Sequence, residues 1–324
     1  MRMLLVAALA AVPGGCGKPD DASHATVLKL AHGLDVTHPV HKGMIYMAER
    51  AHERSGGRLR IDIYPSEQLG SERECLELVQ LGILAMTKSS SAPMEGFVPT
   101  FKVLGLPYLF RDDEHMWKVF QGPIGAEILA AGESKGLKGL CFYNAGARSF
   151  YTKSKRVETP TDLVGLKIRV QKSIMSMRMI EAMGGAPTPI DWGELYTSLQ
   201  QGVVDGAENN PPSFHTSHHY ELCQYYILDE HLRVPDVLVI NPEIWRGLSP
   251  ELQRILQEAV DASVVEQRRL WDEAVERALT EVQRAGVTII RPDRQPFRAA
   301  VQSVWAQFEG TPIGELAARV QAVE

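Results

Sequence analysis

The clearest pattern in the chain is a strict alternation over Gly165, Leu166, Lys167, Ile168, Arg169, Val170 and Gln171. Leu166, Ile168 and Val170 fall on one face and Lys167, Arg169 and Gln171 on the other, which predicts a strand. An apolar-periodic run from Ile174 to Met183 predicts a helix, and Gly184 to Pro189 ends it, since Gly and Pro do not continue helices. Trp192 to Gln200 repeats Leu195 and Leu199 at helical spacing. Gly202 stops that run, and Val203 to Pro211 leads onward. Strand, helix, strand, helix, strand with short connections predicts a mostly parallel sheet flanked by helices. In such sheets ligands lie beyond the carboxyl ends of the strands. Arg169 stands near the end of its strand, where a guanidinium can grip a carboxylate with two parallel hydrogen bonds, or can be a solvated arginine paired with a neighbouring acid.

The rest of the chain follows the same grammar. Val27 to His32 predicts a strand, Val40 to Ser55 a helix ended by Gly56 and Gly57, and Leu59 to Tyr64 a second alternating strand. Ser71 followed by Glu74 is a capping-box signature for a helix through Leu81. Leu84 to Ser91 predicts a strand running into a polar loop that carries Lys88. Asp113 to Phe120 and Ile124 to Ala131 predict helices, Leu137 to Tyr143 a buried strand, and Arg148 a residue just past that strand's end. Val234 to Asn241 predicts a returning strand. From Ser249 and Pro250 a helical pattern continues to Gly286 without an internal Gly or Pro, longer than one lobe is wide. A short strand over Val287 to Ile290 and two closing helices complete the chain.

Several of these stretches together are more specific than any one. Gly-Leu-Lys-Ile-Arg-Val, Gly-Gly-Ala-Pro-Thr-Pro, Glu-Leu-Tyr-Thr-Ser-Leu-Gln-Gln-Gly-Val-Val-Asp-Gly and Ala-Glu-Asn-Asn-Pro occur in order between Leu163 and Asn210. Tyr-Pro-Ser, Gln-Leu-Gly and Leu-Pro-Tyr precede them. In this the chain resembles the extracytoplasmic solute-binding proteins of TRAP transporters, which run on an ion gradient. The resemblance implies an α/β, two-lobed periplasmic-binding-protein fold with a long helix spanning both lobes. It implies lobe I from 23–146 plus 235–274 and lobe II from 147–234 plus 275–324, after a 1–22 signal segment. By resemblance Arg169 is the carboxylate-pairing arginine, Arg148 the second substrate-binding arginine, Asn209 a polar contact to the carboxylate, and Glu72 a contact to hydroxyls. Trp192 is an aromatic at the cleft, and its alternative role is a core anchor at a helix start. For Glu72 the alternative is complementing the helix dipole in the first turn.

The segments Ser71 to Leu78 and Met86 to Lys88, with Ala-Gly-Ala-Arg-Ser-Phe-Tyr-Thr and Glu-Asn-Asn-Pro-Pro-Ser-Phe, resemble the branch that takes sugar acids such as glucuronate and galacturonate. His38, Glu72, Lys88 and Asn210 suit several hydroxyls. A C4-dicarboxylate would want a second cationic clamp from Lys88 or Arg148. Two arginines exceed the need of one carboxylate, so the other is expected on a hydroxyl, a water or a protein acid.

Composition narrows the alternatives. At 324 residues the chain has room for about two domains, and its net charge of −6 argues against a nucleic-acid partner. Met1 to Val12, with one Arg and an apolar run, then Gly14, Gly15 and Cys16, reads as an export signal. Cys16 after two glycines suggests a lipoprotein, although Pro13 departs from that pattern; a soluble periplasmic protein is the competing reading. Cys75, Cys141 and Cys223 sit among apolar neighbours, an odd set expected as buried free thiols. The spacing of His215 and His219 is compatible with one helical face, but with no third ligand evident they are read as solvated or capping, not as metal ligands. No nucleophile elbow, P-loop, zinc-protease or dinucleotide motif is present, which disfavours a hydrolase or lyase and leaves no cofactor to expect. A binding protein, expected as a monomer serving small and large TRAP membrane subunits, is the favoured reading; a sensory ligand-binding module is the alternative.

Overall fold

The chain builds two sheets and crosses between them by short links. The computed structural model describes residues 25–324, so the signal and lipoprotein readings of the first segment lie outside it. The strands are β1 (Thr26–Ala31), β2 (Leu59–Tyr64), β3 (Met86–Ser90), β4 (Lys138–Tyr143), β5 (Arg148–Thr152) and β6 (Lys167–Val170). They continue as β7 (Ala186–Pro189), β8 (Gly206–Asn209), β9 (Tyr225–Leu232), β10 (Asp236–Ile240) and β11 (Thr288–Ile290). One sheet runs β2-β1-β3-β10-β4 and the other β11-β9-β5-β8-β6-β7, each the floor of one lobe.

Both sheets are mostly parallel, as expected, and each is mixed by one reversed strand, β10 in the first and β5 in the second. β1, β2 and β3 pair in parallel, as do β6, β7 and β8, but β10 is antiparallel to β3 and β4, and β5 to β8 and β9. The links from β4 to β5 and from β9 to β10 are a few residues long and carry the chain from one sheet to the other. Arg148 follows the end of β4, as expected, and itself opens β5. β7 pairs only with β6, and at that edge Pro187 and Pro189 lose no ladder bond they would otherwise make.

Local signals that carried their own physics are realised. Ser71 Oγ accepts from Glu74 N and Glu74 Oε2 accepts from Ser71 N at 2.8 Å, closing the capping box of helix Glu72–Gln80. Ser249 Oγ likewise caps the helix Pro250–Arg284, accepting from Leu252 N at 3.2 Å. Its 35 residues span about 50 Å at 1.5 Å each. The first turns, Leu252, Ile255, Leu256 and Val260, enter the core of the first sheet, and Val282 enters that of the second. Cys75, Cys141 and Cys223 are free and buried.

Midway, the long helix grips the first link. Gln267 Oε1 accepts from Asn144 N and Gln267 Nε2 donates to Asn144 O, both at 2.9 Å, and Asn144 Oδ1 accepts from Gly146 N. Gly146 has φ +57°, and a Cβ there would stand 2.9 Å from the Trp271 ring. Gly146→Ala combines a left-handed alanine with a clash on a buried ring, and is expected to cost about 1–3 kcal/mol. Urea denaturation would check this; an unchanged midpoint would contradict it.

Candidate functional site

Between the sheets lies a cleft of about 670 Å³, its mouth included. Glu67, Glu72, Lys88 and Asp236 come from the first lobe, and Arg148, Arg169, Gln171, Trp192, Asn209 and Asn210 from the second. Of the residues expected at a site, His38 alone is not among those lining it.

Arg169 is the third residue of β6, opposite Thr188 of β7 and Ala207 of β8. The alternation gave its direction correctly but not its environment, because the facing lobe covers that side and leaves Arg169 only 2 % exposed. Its Nε donates to Ile190 O at 2.8 Å, and the guanidinium carbon stands 5.8 Å from the centre of the Trp192 ring. Nη1 is buried and, among the described residues, has no hydrogen-bond partner. Burial disfavours its charge, yet an arginine stays protonated in proteins.

Every other cation lining the cleft already has an acid. Lys88 Nζ, buried, donates to Glu72 Oε1 at 3.0 Å and to Asp236 Oδ1 at 3.1 Å. Lys172 pairs with Asp191 at 2.5 Å, and Arg73 with Glu77 at 3.1 Å. Arg148 is fully engaged: Nε and Nη2 hold the Glu208 carboxylate, Nη2 to Oε1 at 2.9 Å, and Nη1 donates to Asn209 Oδ1 at 2.8 Å. Among the described residues Arg169 is the one lining cation with no carboxylate in reach.

The pair beneath Arg148 extends inward. His231 Nε2 lies 3.5 Å from Glu208 Oε2 and its Nδ1 2.8 Å from Asp229 Oδ2. Burial alone would raise the Glu208 carboxyl, but Arg148 and His231 hold it down at about 2. Burial alone would lower the His231 imidazole, but Asp229 and Glu208 lift it to about 9. The result is a row of alternating charges that fixes the Arg148 fork and, through Asn209, one wall of the cleft.

The remaining polar groups have structural duties alongside their position. Glu72 opens its helix, and its Oε1 also accepts from Ser90 N at 3.0 Å. Asn209 Oδ1 takes Arg148 Nη1 and Asn210 N, which leaves its amide NH₂ uncommitted among these contacts. Asn210 caps the helix Pro211–Thr216 through Ser213 N. Trp192 begins the helix Trp192–Gln200, packs against the core of the second lobe and also lines the cleft. His38 caps the helix Pro39–Arg54 from behind the cleft wall, its Nε2 3.2 Å from Ser213 Oγ and its ring edge against Trp271. Burial and the Lys88 charge push it down to about 3, so it is neutral.

The histidine cluster is corrected too. The helix ends at Thr216 and His218 is left-handed at φ +59°, so His215 and His219 do not share a helical face. His219 is buried, not solvated, with its Nδ1 2.9 Å from Tyr151 Oη.

Glu67, Gln171 and Asp236 are among the lining residues that the sequence did not single out. Gln171 was accessible, since it shares the Arg169 face of the alternation. Glu67 sits in a turn with nothing in its spacing to mark it. Its Oε2 accepts from Gly193 N at 3.1 Å, and burial, then Glu72, lifts its carboxyl to about 7.

The buried charge row implies a pH dependence. The His231 pKa is raised above its unfolded value, so its stabilising contribution is complete below pH 6.5 and is lost as pH rises through about 9. The thermal midpoint should fall by several degrees over that window, and His231→Gln should flatten the fall. Parallel wild-type and variant curves in a calorimetric pH series would refute it.

The family model described as bacterial extracellular solute-binding protein, family 7, matches residues 30–311. A TRAP periplasmic solute-binding protein from Bradyrhizobium, solved with galacturonate, is 40% identical with a TM-score of 0.89, over 91% of this chain and 99% of that one. Its counterpart from Chromohalobacter salexigens, solved with D-glucuronate, is 34% identical with a TM-score of 0.89, over 92% and 100%. The C4-dicarboxylate-binding periplasmic protein DctP of Rhodobacter capsulatus is 32% identical over 91% of this chain and 88% of its own length. Family match, two-lobed fold and coverage agree, and none of these relatives is named for catalysis. The chain belongs to the DctP family, the periplasmic solute-binding proteins of TRAP transporters.

Proposed function

We propose that this protein captures a hexuronate, glucuronate or galacturonate, by closing its lobes over a carboxylate paired with Arg169, and delivers it as a monomer to the small and large TRAP membrane subunits. The observation that carries this reading is the pairing of charges in the cleft: Arg169 is the lining cation with no acid among the described residues, and its Nη1 is buried without a partner. A ligand carboxylate would complete the guanidinium, and exclusion of water on closure would strengthen the pair. The ring of Trp192 would pack on the apolar face of a sugar. Glu72, Lys88, the Asn209 amide and Asn210 would serve its hydroxyls, with His38 supporting the wall through Ser213. The rigid units we propose are 23–146 with 235–274 and 147–234 with 275–324, moving about the two links and the long helix. Affinity for the closed form in excess of the open form drives the shift.

A C4-dicarboxylate is the second reading, favoured by the Rhodobacter relative. It fits less well, because Arg148 and Lys88, the candidates for a second clamp, are already bound to Glu208 and to Glu72 and Asp236.

Arg169→Lys keeps the charge but loses the fork, and is expected to weaken hexuronate binding about 10- to 100-fold, the worth of a charged hydrogen bond. Isothermal titration of galacturonate and glucuronate measures this. Affinity unchanged by the substitution would contradict the Arg169 assignment.

A further inference from the structure

A second recess lies outside the cleft, lined by Asp35, Ser66, Tyr196, Ser217 and His218, and it shares Gly33, Leu34, Glu67 and Trp192 with the inner chamber. The Glu67 side chain stands at this boundary and reaches from the first lobe to Gly193 N in the second, at 3.1 Å. Its other oxygen, Oε1, is buried and has no hydrogen-bond partner among the described residues. Ser66 and Glu67 both adopt left-handed backbone, φ +53° and +56°, a conformation that non-glycine residues rarely hold unless their surroundings enforce it. Here Ser66 N donates to Leu34 O and Glu67 N to His32 O, each at 3.1 Å, which ties the turn to the end of β1. Glycines make the slot: a Cβ on Gly193 would stand 2.3 Å from Glu67 Oε2, and one on Gly33 3.2 Å from its Cγ.

We propose that Glu67 is the gate of the cleft and a ligand contact at once: its Oε2 latches the lobes at Gly193 N, and its Oε1 accepts a hydroxyl of the bound acid. The inference rests on the reading of the ligand as a hydroxylated carboxylate and adds the residue that retains it. Among the described residues lining the cleft, Arg169 and Glu67 are the two with a buried side-chain atom that has no partner, Nη1 a donor and Oε1 an acceptor. A hydroxy acid supplies the complement of both; a plain alkyl carboxylate supplies only the first. Burial, then the nearby Glu72 carboxylate, keeps the Glu67 carboxyl partly protonated near neutrality, so the gate does not place a full negative charge over an anion.

Stopped-flow measurement of D-galacturonate and D-glucuronate release, with Trp192 fluorescence as the signal, tests it. Glu67→Ala should speed dissociation about tenfold with a smaller change in association, since lost contacts act mainly on the off-rate. Gly193→Ala leaves the carboxyl in place but fills the slot, and should also speed release. Glu67→Gln, which keeps an acceptor for Gly193 N, should stay within about threefold of wild type. If Arg169→Lys weakens binding while Glu67→Ala and Gly193→Ala release ligand at the wild-type rate, the gate is overturned and the carboxylate reading stands. If Arg169→Lys binds as wild type while both gate variants release faster, the Arg169 assignment fails and the gate is supported. A wild-type chain that binds no hydroxylated acid overturns both.

Discussion

A guanidinium buried between two lobes with no carboxylate beside it is the constraint around which this protein is arranged. Burying a cation is costly unless a counter-charge or full hydrogen bonding compensates it. The fold supplies that compensation for Arg148 through Glu208 and for Lys88 through Glu72 and Asp236. It gives Arg169 one backbone carbonyl and the face of an indole. The proposed pairing with a carboxylate rests on that asymmetry: where the other charges are balanced, an anion gains at Arg169.

The scaffold makes the asymmetry useful. Arg169 lies on β6 in the second sheet, whereas the residues facing it come from the turn after β2, from β3 and from the start of β10 in the first. Nothing covalent joins the two walls near the mouth. They are joined at the back, by the two links between strands and by the long helix that pins Asn144 through Gln267. On the proposed reading such a connection would hold the lobes in register while the front moves, so that ligand contacts on both walls would be converted into closure.

What the sequence disclosed, and what it hid, divides along the same physical line. Local rules were legible: the capping box at Ser71 and Glu74, the Ser249-Pro250 helix start, and the alternation that aims Arg169 away from Ile168 and Val170. Each depends on residues a few positions apart. Pairing across the fold was not legible. Nothing in the spacing says that Glu208 would neutralise Arg148 from 60 residues away, or that Asp236 would join Glu72 on Lys88. For the same reason β5 looked like loop, because its polar start at Arg148 is buried only once β8 and β9 flank it. His38 was read as a ligand contact from chemistry alone, yet its ring is committed to capping one helix and touching Ser213 of another element.

The balanced wall also bears on which anion the cleft suits. A second carboxylate would have to draw Lys88 away from Glu72 and Asp236, or Arg148 from Glu208, leaving buried acids unpaired. Breaking a buried ion pair in that way costs about 3–5 kcal/mol, more than one additional charged hydrogen bond returns. A hydroxyl makes no such demand. It can donate to a carboxylate oxygen that still has a lone pair to offer, or accept from an amide such as that of Asn209, without disturbing any existing pair. On the proposed reading the neutralised Lys88 and Arg148, one on each wall, would act less as binding charges than as fixtures that hold acceptors in position. A ligand with one acid group and several hydroxyls meets such a surface at lower cost than one with two acids.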